Sequence, residues 1–138
     1  MSDLPTELIA LASSVVLLIA QILLQAFTMT SEVGLAYNAS ARDEARPVRG
    51  VVAGRAERAL RNLLETYPAF VALALMLAIT GRTGGLGAAG AWLWLIARVI
   101  YVPLYLIGAP FVRSVAWAAA LVGLGLMLMR FMTFAPAM

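Results

Sequence analysis

Charged and amide side chains are concentrated in one short part of an otherwise apolar segment. The stretch Arg55–Pro68 contains three arginines, two glutamates and one asparagine. Arginine holds carboxylates and phosphates with a planar fork, whereas a glutamate can take an ammonium group. At about 100° per residue on a helical wheel, five of these side chains share about one third of the circumference, which predicts a binding site for a charged ligand. The five are Arg55, Arg58, Arg61, Asn62 and Glu65.

A second polar face is predicted on the third apolar segment. Arg98, Tyr101 and Tyr105 lie within about 60° of one another on a helical wheel, and Trp94 falls between them. Because successive segments run in opposite directions, this face is expected to meet the polar face of the second segment. Arg98 then lies at the depth of Glu65. The two are predicted to form a buried ion pair, either for structure alone or as part of a site.

The two faces together carry several guanidinium groups against one carboxylate. A surplus of positive charge predicts an anionic ligand. The alternative is a solvated rim whose arginines contact lipid headgroups. That alternative suits the outermost arginines better than the deeper ones, and the outermost are Arg42, Arg46, Arg49 and Arg55.

The composition sets the class of protein and excludes several kinds of chemistry. Of 138 residues, 63% are hydrophobic and only 12% are charged, about half the charged fraction of a soluble domain. The mean hydropathy of +0.93 indicates an integral membrane protein. The chain has no cysteine and no histidine. Disulfides, a cysteine nucleophile and the commonest general base are therefore excluded, and no metal site is predicted.

Four apolar segments of membrane-spanning length divide the chain. They predict an all-α membrane protein, a four-transmembrane-helix bundle that forms one domain over residues 1–138. Pro68 and Pro103 fall inside the second and third segments and predict kinks there. The four spans cover about residues 6–30, 53–80, 86–107 and 111–134.

The arginines predict how the chain crosses the membrane. Six lie within residues 42–61, before the second span and in its first turns, and Arg113 follows the third span. On the other side lie only Arg82 and Arg130. The positive-inside rule therefore places the arginine-rich side in the cytoplasm and both termini on the non-cytoplasmic side.

Two segments resemble the MAPEG family, the membrane-associated proteins of eicosanoid and glutathione metabolism. The first is Glu57–Thr66, which is similar to the family signature Arg-Ala-x-x-Asn-x-x-Glu. The second is Ala97–Tyr105, followed by Ala109-Pro110 and Arg113-Ser114. Four spans with a cytoplasmic first loop also resemble this family. The short loops and alanine-rich spans resemble its bacterial members.

The resemblance implies a homotrimer in the bacterial inner membrane, with a glutathione site between neighbouring protomers on the cytoplasmic side. Arg113 corresponds to the arginine that stabilises the glutathione thiolate, and Ser114 to its neighbour in the prostaglandin E synthase branch. The expected glutathione-binding residues, with Arg61 of the same stretch included, are Arg58, Arg61, Asn62, Glu65, Arg98, Tyr101 and Tyr105.

Glutathione would supply the sulfur that this chain lacks, and a cation beside the thiol favours the nucleophilic thiolate. The predicted function is therefore a glutathione-dependent membrane transferase or peroxidase acting on a lipophilic electrophile. The expected partners are that substrate, membrane lipid and the other protomers, but no nucleic acid. Two alternatives stay open: a non-catalytic lipid-binding or accessory subunit of a larger membrane complex, and a small four-helix exporter.

Overall fold

Five α-helices make up the part of the chain that the structure describes. The structure is a computed structural model, and the described residues are 4–47 and 50–133. The predicted all-α membrane bundle is confirmed, since four of the helices are long. A fifth, short helix in the first loop was not predicted. The bounds are α1 Thr6–Val33, α2 Leu35–Ala39, α3 Val51–Ile79, α4 Leu86–Ile107 and α5 Pro110–Thr133.

The four long helices have the length and the apolar composition needed to cross a membrane. The shortest, α4, has 22 residues, or about 33 Å at 1.5 Å per residue, enough for about 30 Å of hydrocarbon. Helices α3 and α4 each continue through their internal prolines, Pro68 and Pro103. The predicted end of the fourth span at residue 134 and the rim residue Arg49 lie outside the described residues. The chain is an integral, multi-pass membrane protein.

Helices α4 and α5 approach each other closely at a pair of glycines. A Cβ at Gly90 would lie 2.5 Å from the Gly123 carbonyl oxygen, and a Cβ at Gly123 would lie 2.6 Å from that of Gly90. Residues without a side chain therefore let the two backbones touch. Next to this contact Trp94 stacks on Phe70 of α3, with ring centroids 3.9 Å apart and planes at 7°. This core holds α4 against both α3 and α5.

Acidic side chains tie helix starts to neighbouring helices on both sides of the bundle. One side, the turn end, holds the start of α1, the α3–α4 turn and the end of α5. The opposite side, the loop end, holds residues 34–50 and the α4–α5 turn. At the turn end the Glu7 carboxylate accepts a hydrogen bond from the Gly84 amide at 2.7 Å. At the loop end Glu32 accepts one from the Gly50 amide at 2.6 Å. Glu7 lies at the start of α4 and Glu32 at the start of α3, where the positive end of the helix dipole favours negative charge.

Arginine side chains donate to backbone carbonyls in the regions where helices end, on both sides of the bundle. Arg82 donates to the Phe131 carbonyl near the end of α5, and Arg130 donates to the Arg82 carbonyl at 3.1 Å. At the loop end, Arg55 Nη1 donates to the Leu106 carbonyl near the end of α4, at 2.7 Å. The last carbonyls of a helix have no intrahelical donor, and a cation also suits the negative end of the helix dipole. Of these three arginines, only Arg55 lies at the loop end of the bundle.

Candidate functional site

A cavity of about 210 Å³ lies between α3, α4 and α5, towards the loop end. Five of its six lining residues were predicted from the sequence as site residues. The sixth is an aromatic residue of α5. The lining residues are Asn62, Tyr101, Tyr105, Arg113, Ser114 and Trp117.

The wall contributed by α4 and α5 is an aromatic surface that carries a cation. The rings of Tyr101 and Tyr105 lie 5.4 Å apart, centroid to centroid. The guanidinium carbon of Arg113 lies 4.6 Å from the Tyr105 ring centroid, within the range of a cation–π contact. Arg113 has no hydrogen bond or ion pair with any residue of 4–47 or 50–133. Its N–H groups are therefore available to a ligand in the cavity.

Ser114 lines the same cavity, but its proton is already engaged. The hydroxyl donates to the Pro110 carbonyl one turn earlier in α5, at 3.0 Å. A hydroxyl has one O–H donor and two lone pairs. In this conformation only the lone pairs of Ser114 are free, and lone pairs cannot stabilise an anion. Of the two α5 residues Arg113 and Ser114, Arg113 is therefore the one with free donors.

The predicted ion pair between Arg98 and Glu65 is wrong. Arg98 is 1% exposed, and among the described residues no carboxylate lies within 4.0 Å of its guanidinium group. Its Nη1 donates to Asn62 Oδ1 at 2.6 Å and its Nη2 donates to Thr66 Oγ1 at 2.7 Å. Arg98 therefore reaches the cavity through Asn62, whose carboxamide it orients.

The rotation of α3 explains why Asn62 and Thr66 replace Glu65. On a helical wheel Thr66 lies about 40° from Asn62, whereas Glu65 lies about 60° from it in the opposite direction. Helix α4 packs on the Thr66 side, so Glu65 is exposed on the outer surface of α3. Asn62 lies at the boundary between the face of α3 that packs on α4 and the exposed face. Its Nδ2 is 3.4 Å from Glu65 Oε2, and it joins the outer carboxylate to the buried guanidinium.

The remaining predicted residues of α3 also point away from the chain's own bundle. Arg58, Arg61 and Glu65 are all exposed and do not line the cavity. Arg61 forms an ion pair with Glu57 at 2.9 Å. Arg58 has no hydrogen bond or ion pair with any other described residue. The expectation that the whole polar face of α3 meets α4 is therefore wrong: only the edge that carries Asn62 and Arg55 contacts α4.

Two residues that contribute to the site region were not predicted. Thr66 follows Asn62 by one helical turn, and Trp117 follows Ser114 by three residues. Helical spacing from known site residues could have indicated both. Arg55 was predicted as part of the rim, but its hydrogen bond to Leu106 gives it a specific partner on α4.

A larger cavity, of about 490 Å³, lies within the first loop. It contains none of the predicted site residues. Two arginines and two acidic residues line it, so their formal charges cancel. No group of three His, Cys, Asp or Glu residues that could hold a metal ion occurs in the described part of the chain. The small cavity between α3, α4 and α5 remains the candidate site.

Comparison with known proteins agrees with this architecture. The sequence profile of the MAPEG family matches residues 6–133, which contain all five helices and every residue that lines the cavity. Neither a curated protein nor a solved structure matches the chain significantly. In general, proteins of the matched family are membrane proteins of glutathione or eicosanoid metabolism. With its four membrane-length helices and a family match over nearly its whole length, this chain belongs to the MAPEG family.

Proposed function

We propose that this protein is a glutathione-dependent membrane transferase or peroxidase. It activates glutathione as a thiolate and conjugates or reduces a lipophilic electrophile. The observation that carries the proposal is the Arg113 guanidinium, which lies over the Tyr105 ring at the cavity wall without a hydrogen-bond partner among the described residues. A cation beside a thiol lowers the pKa of the thiol and favours the thiolate.

The polar groups around the cavity suit the rest of glutathione. The tripeptide carries two carboxylates and one ammonium group besides its thiol. Arg58 offers a guanidinium fork that no described residue occupies, and such forks bind carboxylates in bidentate geometry. The exposed Glu65 carboxylate offers an acceptor for the ammonium group. Asn62 and the Tyr101 and Tyr105 hydroxyls supply further hydrogen-bonding groups at the cavity itself.

Assembly into a homotrimer is part of the proposal. The cavity of about 210 Å³ is smaller than the roughly 300–1,000 Å³ of typical small-molecule sites. Moreover, Arg58, Arg61 and Glu65 lie on an outer helix face, where polar groups within a membrane need a partner. A neighbouring protomer against this face would enlarge the site and cover the charges. The number three comes from the resemblance to the family.

The chemistry follows from a thiolate at the Arg113 wall. In conjugation the sulfur forms a bond to the electrophilic carbon, and the leaving group departs with the bonding electrons. In peroxidase turnover the sulfur attacks the O–O bond of a hydroperoxide, and a second glutathione thiol completes the reduction to alcohol, water and glutathione disulfide. A lipophilic substrate would enter from the bilayer past Trp117. By the positive-inside rule the loop end would face the cytoplasm, and the resemblance to bacterial members implies the inner membrane as the location.

The test is a glutathione titration of the purified protein in nanodiscs. Saturable binding, a thiolate absorbance that appears below the pKa of free glutathione, and conjugation of a generic electrophile are the expected results. S-methylglutathione is the matched control, since it should bind without any thiolate signal. The absence of saturable glutathione binding would overturn the proposal in favour of a non-catalytic lipid-binding or accessory protein. Native mass spectrometry of the same sample should report three chains.

A further inference from the structure

We infer that Arg55 is a positioning residue for Arg113. It fastens the α4–α5 turn to α3 and thereby sets the separation of Arg113 and Asn62 across the cavity. The inference rests on the proposed function, because it concerns how the thiol site is held together. Arg55 does not line the cavity, so it acts on the site only through the turn.

Arg55 contacts the α4–α5 turn through one hydrogen bond and by packing on a glycine. Arg55 Nη1 donates to the Leu106 carbonyl at 2.7 Å. The guanidinium group also lies flat against Gly108, where a Cβ would be 2.6 Å from Nη2 and 2.9 Å from Cζ. The absence of a side chain at Gly108 is therefore what admits the guanidinium group.

Backbone hydrogen bonds within the turn close the end of α4 and leave the Leu106 carbonyl to Arg55. Gly108 ends α4 in the left-handed conformation, with φ of 78°, which a glycine adopts without strain. Its amide donates to the Tyr105 carbonyl at 3.1 Å, and the Ala109 amide donates to the Leu104 carbonyl at 3.0 Å. The Leu106 carbonyl is the next one along the helix end, and Arg55 supplies its donor. Arg55 is thus an integral part of this helix end.

The path along the chain from the turn to Arg113 is short. Helix α5 begins at Pro110, only two residues after Gly108, and Arg113 lies in its first turn. Tyr105 and Arg113 stand on either side of the turn and contact each other at 4.6 Å. A shift of the turn therefore shifts the cation. Arg55 precedes Asn62 by seven residues on the same helix, about 10 Å along its axis. Helix α3 thus carries Asn62 at one wall of the cavity and, through Arg55, anchors the α4–α5 turn beside the opposite wall.

The test is Arg55→Lys, which keeps the positive charge but cannot both bond the Leu106 carbonyl and lie flat on Gly108. A guanidinium group within about 4–6 Å of a thiol shifts its pKa by 1–3 units, so its displacement should raise the apparent pKa of bound glutathione by about one unit. The affinity for S-methylglutathione, which has no thiol to ionise, should stay within about threefold while kcat falls about tenfold, because small misplacements act on the reaction step.

Arg82→Lys is the matched control. Arg82 also donates to a carbonyl near the end of a helix, that of Phe131, but it does so at the turn end. Its replacement should lower the stability of the protein without moving the pH profile of the bound thiol. A shift of equal size in Arg82→Lys would mean that any loosened helix end has this effect, and the inference would be overturned.

Gly108→Ala provides an independent route to the same displacement. The added Cβ collides with the end of the Arg55 side chain, and alanine is also strained at a φ of 78°. The substitution should therefore expel the Arg55 guanidinium, shift the turn and reproduce the raised thiol pKa. The variant that combines Arg55→Lys with Gly108→Ala should show no higher thiol pKa than Gly108→Ala alone, since the glycine substitution already removes the Arg55 contact. Wild-type binding with an unchanged thiol pKa in Arg55→Lys would overturn the inference alone. A wild type that does not bind glutathione would overturn both the inference and the proposed function.

Discussion

The two ends of the bundle use arginine for different purposes. At the turn end, Arg82 and Arg130 donate to backbone carbonyls of the α3–α4 turn and the end of α5. At the loop end, Arg55 does the same for α4, but Arg58 and Arg113 have no hydrogen bond or ion pair with other described residues. Bonding at helix ends accounts for Arg82, Arg130 and Arg55. Helix ends do not account for Arg58 and Arg113, for which a ligand, a second chain or lipid headgroups would be partners.

Arg98 shows that these two groups of arginines differ in their hydrogen-bond partners and not in how deeply they are buried. It is the most buried arginine of the described chain, yet neutral groups, Asn62 and Thr66, accept its hydrogen bonds. A buried cation without a carboxylate is costly, and each of these hydrogen bonds to a charged group contributes about 1.5–3 kcal/mol. Its role therefore lies between the two groups: it is bonded like a structural arginine, but it orients a residue of the cavity.

The largest expected effect comes from removing the cation at the cavity wall. Arg113→Ala should abolish the thiolate signal and lower the conjugation rate about 100-fold or more, since a pKa shift of two units changes the thiolate fraction by about that factor. Glutathione should still bind, more weakly. Stopped-flow absorbance with a generic electrophile measures the rate. Arg113→Lys, which keeps a positive charge, should retain part of the activity. Conjugation at the wild-type rate in the alanine variant would move the thiolate role elsewhere.

A smaller effect is expected from the unpaired arginine of α3. Arg58→Ala should weaken glutathione binding about tenfold, which corresponds to one charge-assisted hydrogen bond of about 1.4 kcal/mol, and should leave the pKa of the bound thiol unchanged. Isothermal titration calorimetry gives the affinity. Arg42→Ala is the control, because Arg42 donates to the Asn38 carbonyl within the first loop and does not line the cavity. Unchanged affinity in Arg58→Ala would remove it from the ligand site.

The fold was predictable because membrane helices are determined by length and hydropathy. Each long helix lies within a few residues of its predicted span, since the apolar runs end at glycine, proline and charged residues. The short helix α2, with five residues, was not predicted. A helix of that length depends on its surroundings, such as the hydrogen bond of Asn38 to Thr30 Oγ1 at 2.7 Å, and not on a periodic pattern.

The site was predictable in its residues but not in all of its contacts. Helical periodicity and the family signature identified five of the residues that line the cavity. Periodicity gives the angles between side chains on one helix, but it does not give the rotation of that helix towards its neighbour. Electrostatic pairing therefore suggested Glu65 as the partner of Arg98, whereas packing brought Asn62 and Thr66 to it. The Arg55 contact depends on how the α4–α5 turn closes, which no repeat in the sequence encodes.

Thr66→Val tests the intermediate role of Arg98. The substitution keeps the shape of the side chain and removes the hydroxyl that accepts from Arg98 Nη2. The protein should lose about 1–3 kcal/mol of unfolding free energy, because a buried guanidinium N–H is left without a partner, and Asn62 should hold glutathione somewhat less firmly. Thr28→Val is the matched control, since the Thr28 hydroxyl bonds only carbonyls of its own helix. Equal stability of both variants in SDS titrations would show that the Arg98 contact contributes nothing.

The smallest effect is expected at the turn end, and it must be confined to stability. Glu7 is fully buried, and its carboxylate accepts a hydrogen bond from the Gly84 amide just before α4. Glu7→Gln keeps an acceptor of the same shape but removes the negative charge, which near a helix start contributes up to about 2 kcal/mol when it is shielded from solvent. The unfolding free energy should fall by that amount, while glutathione affinity and the pKa of the bound thiol stay at wild-type values. A change in either ligand property would mean that the two ends are coupled, and the division between structural and ligand-binding charges would not hold.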